Sequence, residues 1–446
     1  MKKFFISLVV AATFVFNAQA QQTAAEYFDI GVNKSKAGDY IGALAAFSQS
    51  IAMNPENSTC FFNRGLAKQN LKDHRGAILD FDRTIDLNPK NSEAFLARGM
   101  SKSAQDDQRA ALQDFNRAIE LNPDASISYL QRGMTRARLQ DYRRSIEDFT
   151  KVIETATEDG TKYQAYYSRG ICKARLDDYQ GSIQDFSKSI DLNPKRSQSF
   201  ASRGSSRLKI NDFAGAIKDF DEAVKLNPED SESYYNRGFS KTKIEDFRGA
   251  MNDFDRAITL DPQNVRAFYG RGFCNSKLNN QKDAVNDLTK SIEINNANMD
   301  PKVYYTGRIT KNILDDLRNV VQERGRINEF SDDRSEAFYT RGLSKYKSGD
   351  SKGAIADLNK SIELNPTYAE AYFYRGLVRS STGLQKEALQ DCSNAIKLNP
   401  RYGEAYYVRG IITFALGEEN KGCFDLSRAG ELGYSAAYNV IREYCN

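Results

Sequence analysis

Eleven glycines set the register of this chain. They stand at positions 31, 65, 99, 133, 170, 204, 238, 272, 342, 376 and 410, and successive gaps are 34 residues except for one of 37 and one of 70. A fixed period in this range means one supersecondary unit stacked on copies of itself, because a single copy cannot bury its apolar face alone. The 446 residues are therefore read as one stacked array rather than as the roughly three globular domains that length alone suggests.

The clearest copy runs from Ser231 to Pro262. Four residues before each glycine stands an aromatic, from Tyr27 and Phe61 to Tyr372 and Tyr406, and twelve after it a small residue, such as Ala43, Ala77, Ser145, Ala250 and Gly422. Small residues facing each other let two helices approach closely while the aromatic fills the space beside them, so the unit is a helical hairpin. Asp73, Asp141, Asp178, Asp212 and Asp246 precede the second apolar run and are placed to cap its free N–H groups. Eight of the nine prolines, from Pro55 to Pro400, fall 24 residues after a glycine. Each lacks a donor and pushes its predecessor out of the helical region, which ends the second helix.

These residues, at this spacing, resemble the tetratricopeptide repeat family from about Ala24 to Gly433. The resemblance implies an all-α fold, a right-handed superhelical solenoid of stacked helix-turn-helix hairpins. Two departures stand out. The family's usual Trp is Tyr or Phe here, and its usual Leu before the glycine is Arg in ten of eleven units.

An arginine inside a hairpin needs a partner, since an unpaired buried cation is expensive. Fifteen residues after the glycine an Asp appears in those same ten units, while the first unit has Ile30 and Ala46 instead. This predicts one Arg–Asp pair per hairpin, such as Arg98 with Asp114 and Arg237 with Asp253, with a contact to the adjacent unit left open. An anion-binding role for the arginines is the alternative to a structural ladder.

The organisation along the chain follows. Residues 1–20 read as a secretory signal peptide: Met1-Lys2-Lys3, an apolar run from Phe4 to Phe16, and Ala18-Gln19-Ala20 for cleavage. The run is too short to span a bilayer, and no later stretch qualifies, so no membrane span is expected in the mature chain. Residues 24–296 read as eight repeats and 335–433 as three more. Between them, 297–334 is a degenerate repeat or an insertion, with Ile309, Ile313, Leu317 and Val321 forming an apolar stripe at helical spacing. The extra three residues near Glu154–Gly160 read as a longer surface turn, and 434–446 as a C-terminal capping helix. Among six cysteines, only Cys423 and Cys445 lie where they could meet, and a bridge and two buried thiols both remain open.

Basic and acidic residues, 63 and 59, are interleaved, which excludes the basic patch that nucleic-acid binding requires. The single histidine, His74, stands where sibling units have Tyr or Phe and reads as packing. No zinc spacing, phosphate loop or serine elbow appears, so no cofactor, metal or catalytic residue is assigned.

The resemblance implies that first helices line a groove, and that residues three before and one, four and five after the glycine face it. On those positions the partner-binding set is Tyr167, Tyr235, Phe239, Lys243, Tyr269, Phe273, Lys277, Tyr339, Lys347 and Phe373. The alternative is that these aromatics pack between adjacent first helices. The carboxylate clamp of some family members is not expected, since aromatics replace its basic residues. The reading is a non-catalytic scaffold of the cell envelope, periplasmic or otherwise exported. It would bind another protein or an extended peptide segment in assembly or secretion, with carbohydrate binding by the aromatic rows as the alternative.

Overall fold

The structure, a computed structural model, describes residues 23–298 and 334–445. The signal-peptide reading of 1–20 and the stripe of 297–334 from Ile309 to Val321 lie outside the described residues. Contacts divide the chain into a unit ending at Asn193 and one beginning at Pro194, a boundary inside the stretch read as eight repeats.

The first unit holds five hairpins: α1 (Ala24–Lys36) with α2 (Tyr40–Met53), α3 (Ser58–Asn70) with α4 (His74–Leu87), α5 (Ser92–Ala104) with α6 (Gln108–Leu121), α7 (Ser126–Arg138) with α8 (Tyr142–Thr155), and α9 (Asp159–Arg175) with α10 (Tyr179–Leu192). In the second unit, α11 (Ser197–Lys209) pairs with α12 (Phe213–Leu226), α13 (Ser231–Lys243) with α14 (Phe247–Leu260), and α15 (Val265–Lys277) with α16 (Gln281–Asn298). It continues with α17 (Arg334–Lys347) and α18 (Ser351–Leu364), α19 (Ala369–Ser381) and α20 (Gln385–Leu398), α21 (Gly403–Ala415) and α22 (Glu419–Glu431), then a final α23 (Ala436–Tyr444). Within each unit every second helix packs on the first helix of the following hairpin, and first helices touch first helices.

The punctuation acts as its chemistry requires. Asp73, Asp178, Asp212 and Asp246 each accept the N–H of the residue three on, at 2.9 Å, and Asp141 accepts that of Arg144. Asn88, before Pro89, leaves the helical region at φ −140° and ψ 84°. The register glycine permits the closest approach in the hairpin: a Cβ on Gly65 would lie 2.6 Å from the Phe81 ring of the second helix.

One stretch folds differently from its sequence reading. The three residues added near Glu154–Gly160 do not lengthen a turn; they lengthen α9 to 17 residues, where α3, α5, α7, α11, α13 and α15 have 13. With no proline after α8, and with Asp159 favourably placed in the positive first turn, the helix starts earlier. Across the 70-residue gap, α17 packs on α16 and α15 as a following hairpin does. Ser344 Oγ donates to Ser276 Oγ at 3.1 Å, and Arg341 Nη1 reaches Thr289 Oγ1 at 3.1 Å. At the other end Cys423 and Cys445 form a disulfide, which fastens the end of α23 to α22.

All ten expected Arg–Asp pairs are present among the described residues. Arg98 donates from Nε and Nη2 to the Asp114 carboxylate, at 3.0 and 2.7 Å, and from Nη1 to Asp82 of the preceding hairpin at 2.6 Å. Arg237 grips Asp253 the same way and reaches back to Asp221 at 2.8 Å. The contact within the hairpin and the contact to the neighbour thus coexist. Each guanidinium also lies over the aromatic three residues before it, 5.3 Å from the ring centroid for Arg237 and Tyr234. A second cation went unassigned in sequence: Lys102 and Lys241, three residues after the glycine, each reach the same Asp at 2.8 Å. Burial opposes the charge of Arg237, yet its hydrogen bonds to Asp253 and Asp221 outweigh it and raise its pKa.

Asp253→Ala leaves Arg237 and Lys241 without their common acceptor and should destabilise the protein by about 3 kcal/mol, the low end for a broken buried pair because Asp221 remains. Asp221→Ala, at an exposed position, should cost under about 1 kcal/mol; urea unfolding monitored by circular dichroism separates the two. The hairpin turn makes a second prediction. Seven non-glycine residues there, Glu245 among them at φ 62°, adopt the left-handed region that Gly38, Gly349, Gly383 and Gly417 fill elsewhere. Relief of about 1–2 kcal/mol of strain exceeds the entropic cost of glycine, so Glu245→Gly should raise the urea midpoint.

Candidate functional site

The ladder arginines are not an anion site. Nε and Nη2 of Arg98 and Arg237 are occupied by Asp114 and Asp253, Nη1 by the preceding hairpin, and one face by an aromatic ring. What can meet a partner is the face made by the first helices, which lie side by side within each unit.

The predicted groove residues separate into two groups on that face. Tyr235 is 0% exposed, Phe239 2%, Tyr269 3% and Phe373 7%; these four are packing residues, and their assignment to an open groove is corrected. Their positions lie where one first helix meets the next. The Tyr269 hydroxyl shows it, at 3.3 Å from Thr340 Oγ1 of α17, and burial pushes its pKa well up. Tyr167, Phe273 and Tyr339 are half-buried. Tyr167 stacks on Tyr163 and tilts against Phe186, and Phe273 meets Phe247 edge-on. Lys243, Lys277 and Lys347 are exposed in the last turns of α13, α15 and α17. Lys243 Nζ lies 4.9 Å from the Phe239 ring centroid and Lys277 Nζ 5.3 Å from that of Phe273, so each ammonium lies over an aromatic ring while the residue stays exposed to water.

The face also carries residues that the sequence reading passed over. In α17 to α21, Tyr339 lies 4.9 Å from Tyr368 and 5.8 Å from Tyr374, ring centre to ring centre, and Phe373 lies 4.9 Å from Tyr402. Tyr368 and Tyr402 occupy the N-cap positions of α19 and α21 and make no capping bond, where Asn57, Asn91 and Asn264 cap α3, α5 and α15. The signal was in the sequence: tyrosine at a position where Asn57, Asn91, Ala125, Arg196, Asp230 and Asn264 stand in sibling units. Burial first, then the neighbouring phenols and Glu370, push the Tyr339 pKa above its ordinary value.

Among the described residues, no group of three His, Cys, Asp or Glu side chains is placed to hold a metal, and no helix is long and apolar enough to cross a membrane. The four cysteines outside the bridge are buried. Burial raises the Cys60 thiol and carries Cys172 to about 11 and Cys274 and Cys392 to about 12.

The arrangement defines the class, an all-helical array of stacked hairpins. Models of the tetratricopeptide repeat match residues 28–92, 62–126, 202–238, 163–196 and 231–264, and one of the TPR repeat matches 342–383. The chain belongs to the tetratricopeptide repeat family. No curated protein matches it in sequence. Among solved structures, it is similar to the C-terminal part of a TPR repeat-containing protein from Cytophaga hutchinsonii, at 18% identity and a TM-score of 0.47, over 55% of this chain and 98% of that one. A tetratricopeptide repeat protein from Parabacteroides merdae is 20% identical with a TM-score of 0.42, over 54% and 94%. YrrB, described as a TPR protein with an unusual peptide-binding site, is 19% identical with a TM-score of 0.39, over 42% and 95%.

Buried, high-pKa thiols are poor nucleophiles. Iodoacetamide at about pH 8 should therefore leave Cys60, Cys172, Cys274 and Cys392 unmodified in the native protein and alkylate all of them in denaturant, as read by mass spectrometry.

Proposed function

We propose that this chain is an exported, non-catalytic scaffold that grips an extended segment of another protein along its first-helix face, in assembly or secretion at the cell envelope. Membership of the tetratricopeptide repeat family supports a role in protein–protein interaction. An extended partner segment is supported by the row of exposed Lys243, Lys277 and Lys347 at matching ends of the first helices α13, α15 and α17. A row in register suits a chain running across the helices, with acidic groups meeting the lysines. The Cys423–Cys445 bridge supports export, since such bonds persist in oxidising compartments. The sugar-binding alternative gains nothing from the buried rings of Tyr235, Phe239, Tyr269 and Phe373, whose faces are taken by packing.

The test is crosslinking capture by the full chain from an envelope extract. Recovery of a specific partner should fall with ionic strength and be lost in a Lys243→Glu, Lys277→Glu, Lys347→Glu variant of unchanged helicity. Recovery that ignores both salt and the three substitutions would remove the lysine row from the reading.

A further inference from the structure

The chain contains its own example of what one pair of positions on this face does. Six residues before the register glycine, α13 carries Glu232 and α15 carries Arg266. Arg266 Nη2 donates to both carboxylate oxygens of Glu232, at 3.0 and 2.8 Å, and the guanidinium lies 4.5 Å from the ring centroid of Tyr235. A glutamate in the first turn and an aromatic three residues on thus hold a guanidinium that the next hairpin supplies.

The same pair recurs in the last three hairpins, as Glu336 with Tyr339, Glu370 with Phe373 and Glu404 with Tyr407. Here the position equivalent to Arg266 is Glu370 in α19 and Glu404 in α21, so the following hairpin brings a carboxylate instead of a cation. Both are exposed, and among the described residues neither enters an ion pair. Like charges in successive hairpins beside aromatic rings repel one another until a cation comes between them, and ring faces attract the same cation. Tyr368 and Tyr402, at the N-cap positions of α19 and α21, each bring a further ring into this cluster. An aromatic at this position in two adjacent hairpins widens the ring surface beside the two glutamates.

We propose that the first-helix face of α17, α19 and α21 binds an arginine-bearing extended segment of a partner protein, its guanidinium groups seated on Glu370 and Glu404 against the half-buried rings of Tyr339, Tyr374 and Tyr402, much as Arg266 is seated on Glu232 and Tyr235. This rests on the scaffold reading above and names the partner chemistry for one end of the face.

The probe is a fluorescein-labelled Gly-Ser peptide carrying two arginines a few residues apart, titrated against the full chain by anisotropy. A second peptide has both arginines replaced by citrulline, which keeps the shape and removes the charge. The arginine peptide should bind about tenfold more tightly than the citrulline peptide, and Glu370→Gln with Glu404→Gln should erase the difference. Glu370→Arg, which restores the Arg266 arrangement from within the chain, should abolish binding while leaving the far-UV spectrum unchanged. Equal affinity for the two peptides, no binding of the arginine peptide, or full binding by the double glutamine variant overturns the proposal. The scaffold reading fails separately: its readout is partner recovery through Lys243, Lys277 and Lys347, which none of these substitutions touches.

Discussion

The structure depends on a buried carboxylate that two cations share. An aspartate inside a hairpin would be destabilising alone, and one arginine would leave part of its hydrogen-bonding capacity unused, since a carboxylate accepts at about four lone-pair sites. Asp114 shows the solution, with Arg98 on one side and Lys102 on the other. Because the arginine has a nitrogen left over, it also holds the second helix of the preceding hairpin, through Asp82 for Arg98 and Asp221 for Arg237. One residue thereby closes its own hairpin and couples it to its neighbour, which is the nearest-neighbour term that makes a stacked array cooperative. The hairpin α1–α2 has Ile30 and Ala46 in place of the pair, and no described hairpin precedes it.

Much of this was legible because it repeats. The glycine register, the aspartate caps, the proline stops and the Arg–Asp pairing are each set by contacts inside one hairpin, and a contact inside the unit leaves a mark at fixed spacing in every copy. What lay between hairpins was harder to see. Tyr235 and Tyr269 stand on the face that the family resemblance assigns to a groove, but the resemblance does not say how much of that face the next helix covers, and both are buried here. The second cation of eight rungs, Lys102 and Lys241 among them, went unassigned because the arginine already met the need for a partner. Local composition decided the start of α9, where the missing proline and Asp159 extended a helix rather than a turn.

Departures from local rules carry different meanings according to where they fall. Left-handed residues at Lys72, Asp106, Gln140, Asp177, Asn211, Glu245 and Asn279 recur at the same hairpin turn along much of the array, so they mark a turn geometry the packing enforces at a tolerated strain. Tyrosines at the N-cap are confined to α19 and α21, adjacent hairpins whose rings meet Tyr339 and Phe373. A departure spread over most copies is a property of the fold, whereas one confined to two neighbours requires a local cause.

Helix electrostatics explains how such a local feature is tolerated. The first helices present Glu336, Glu370 and Glu404 in their first turns and Lys243, Lys277 and Lys347 in their last, the ends at which the macrodipole favours each sign. The same preference that steadies an isolated helix thus lets one face of the array carry an acidic row at one end of its helices and a basic row at the other. The inner ladder is fixed by its buried aspartates, and a change there costs stability. The outer rows are exposed and individually worth little to stability, so which charge stands at each hairpin is free to follow whatever lies against the face.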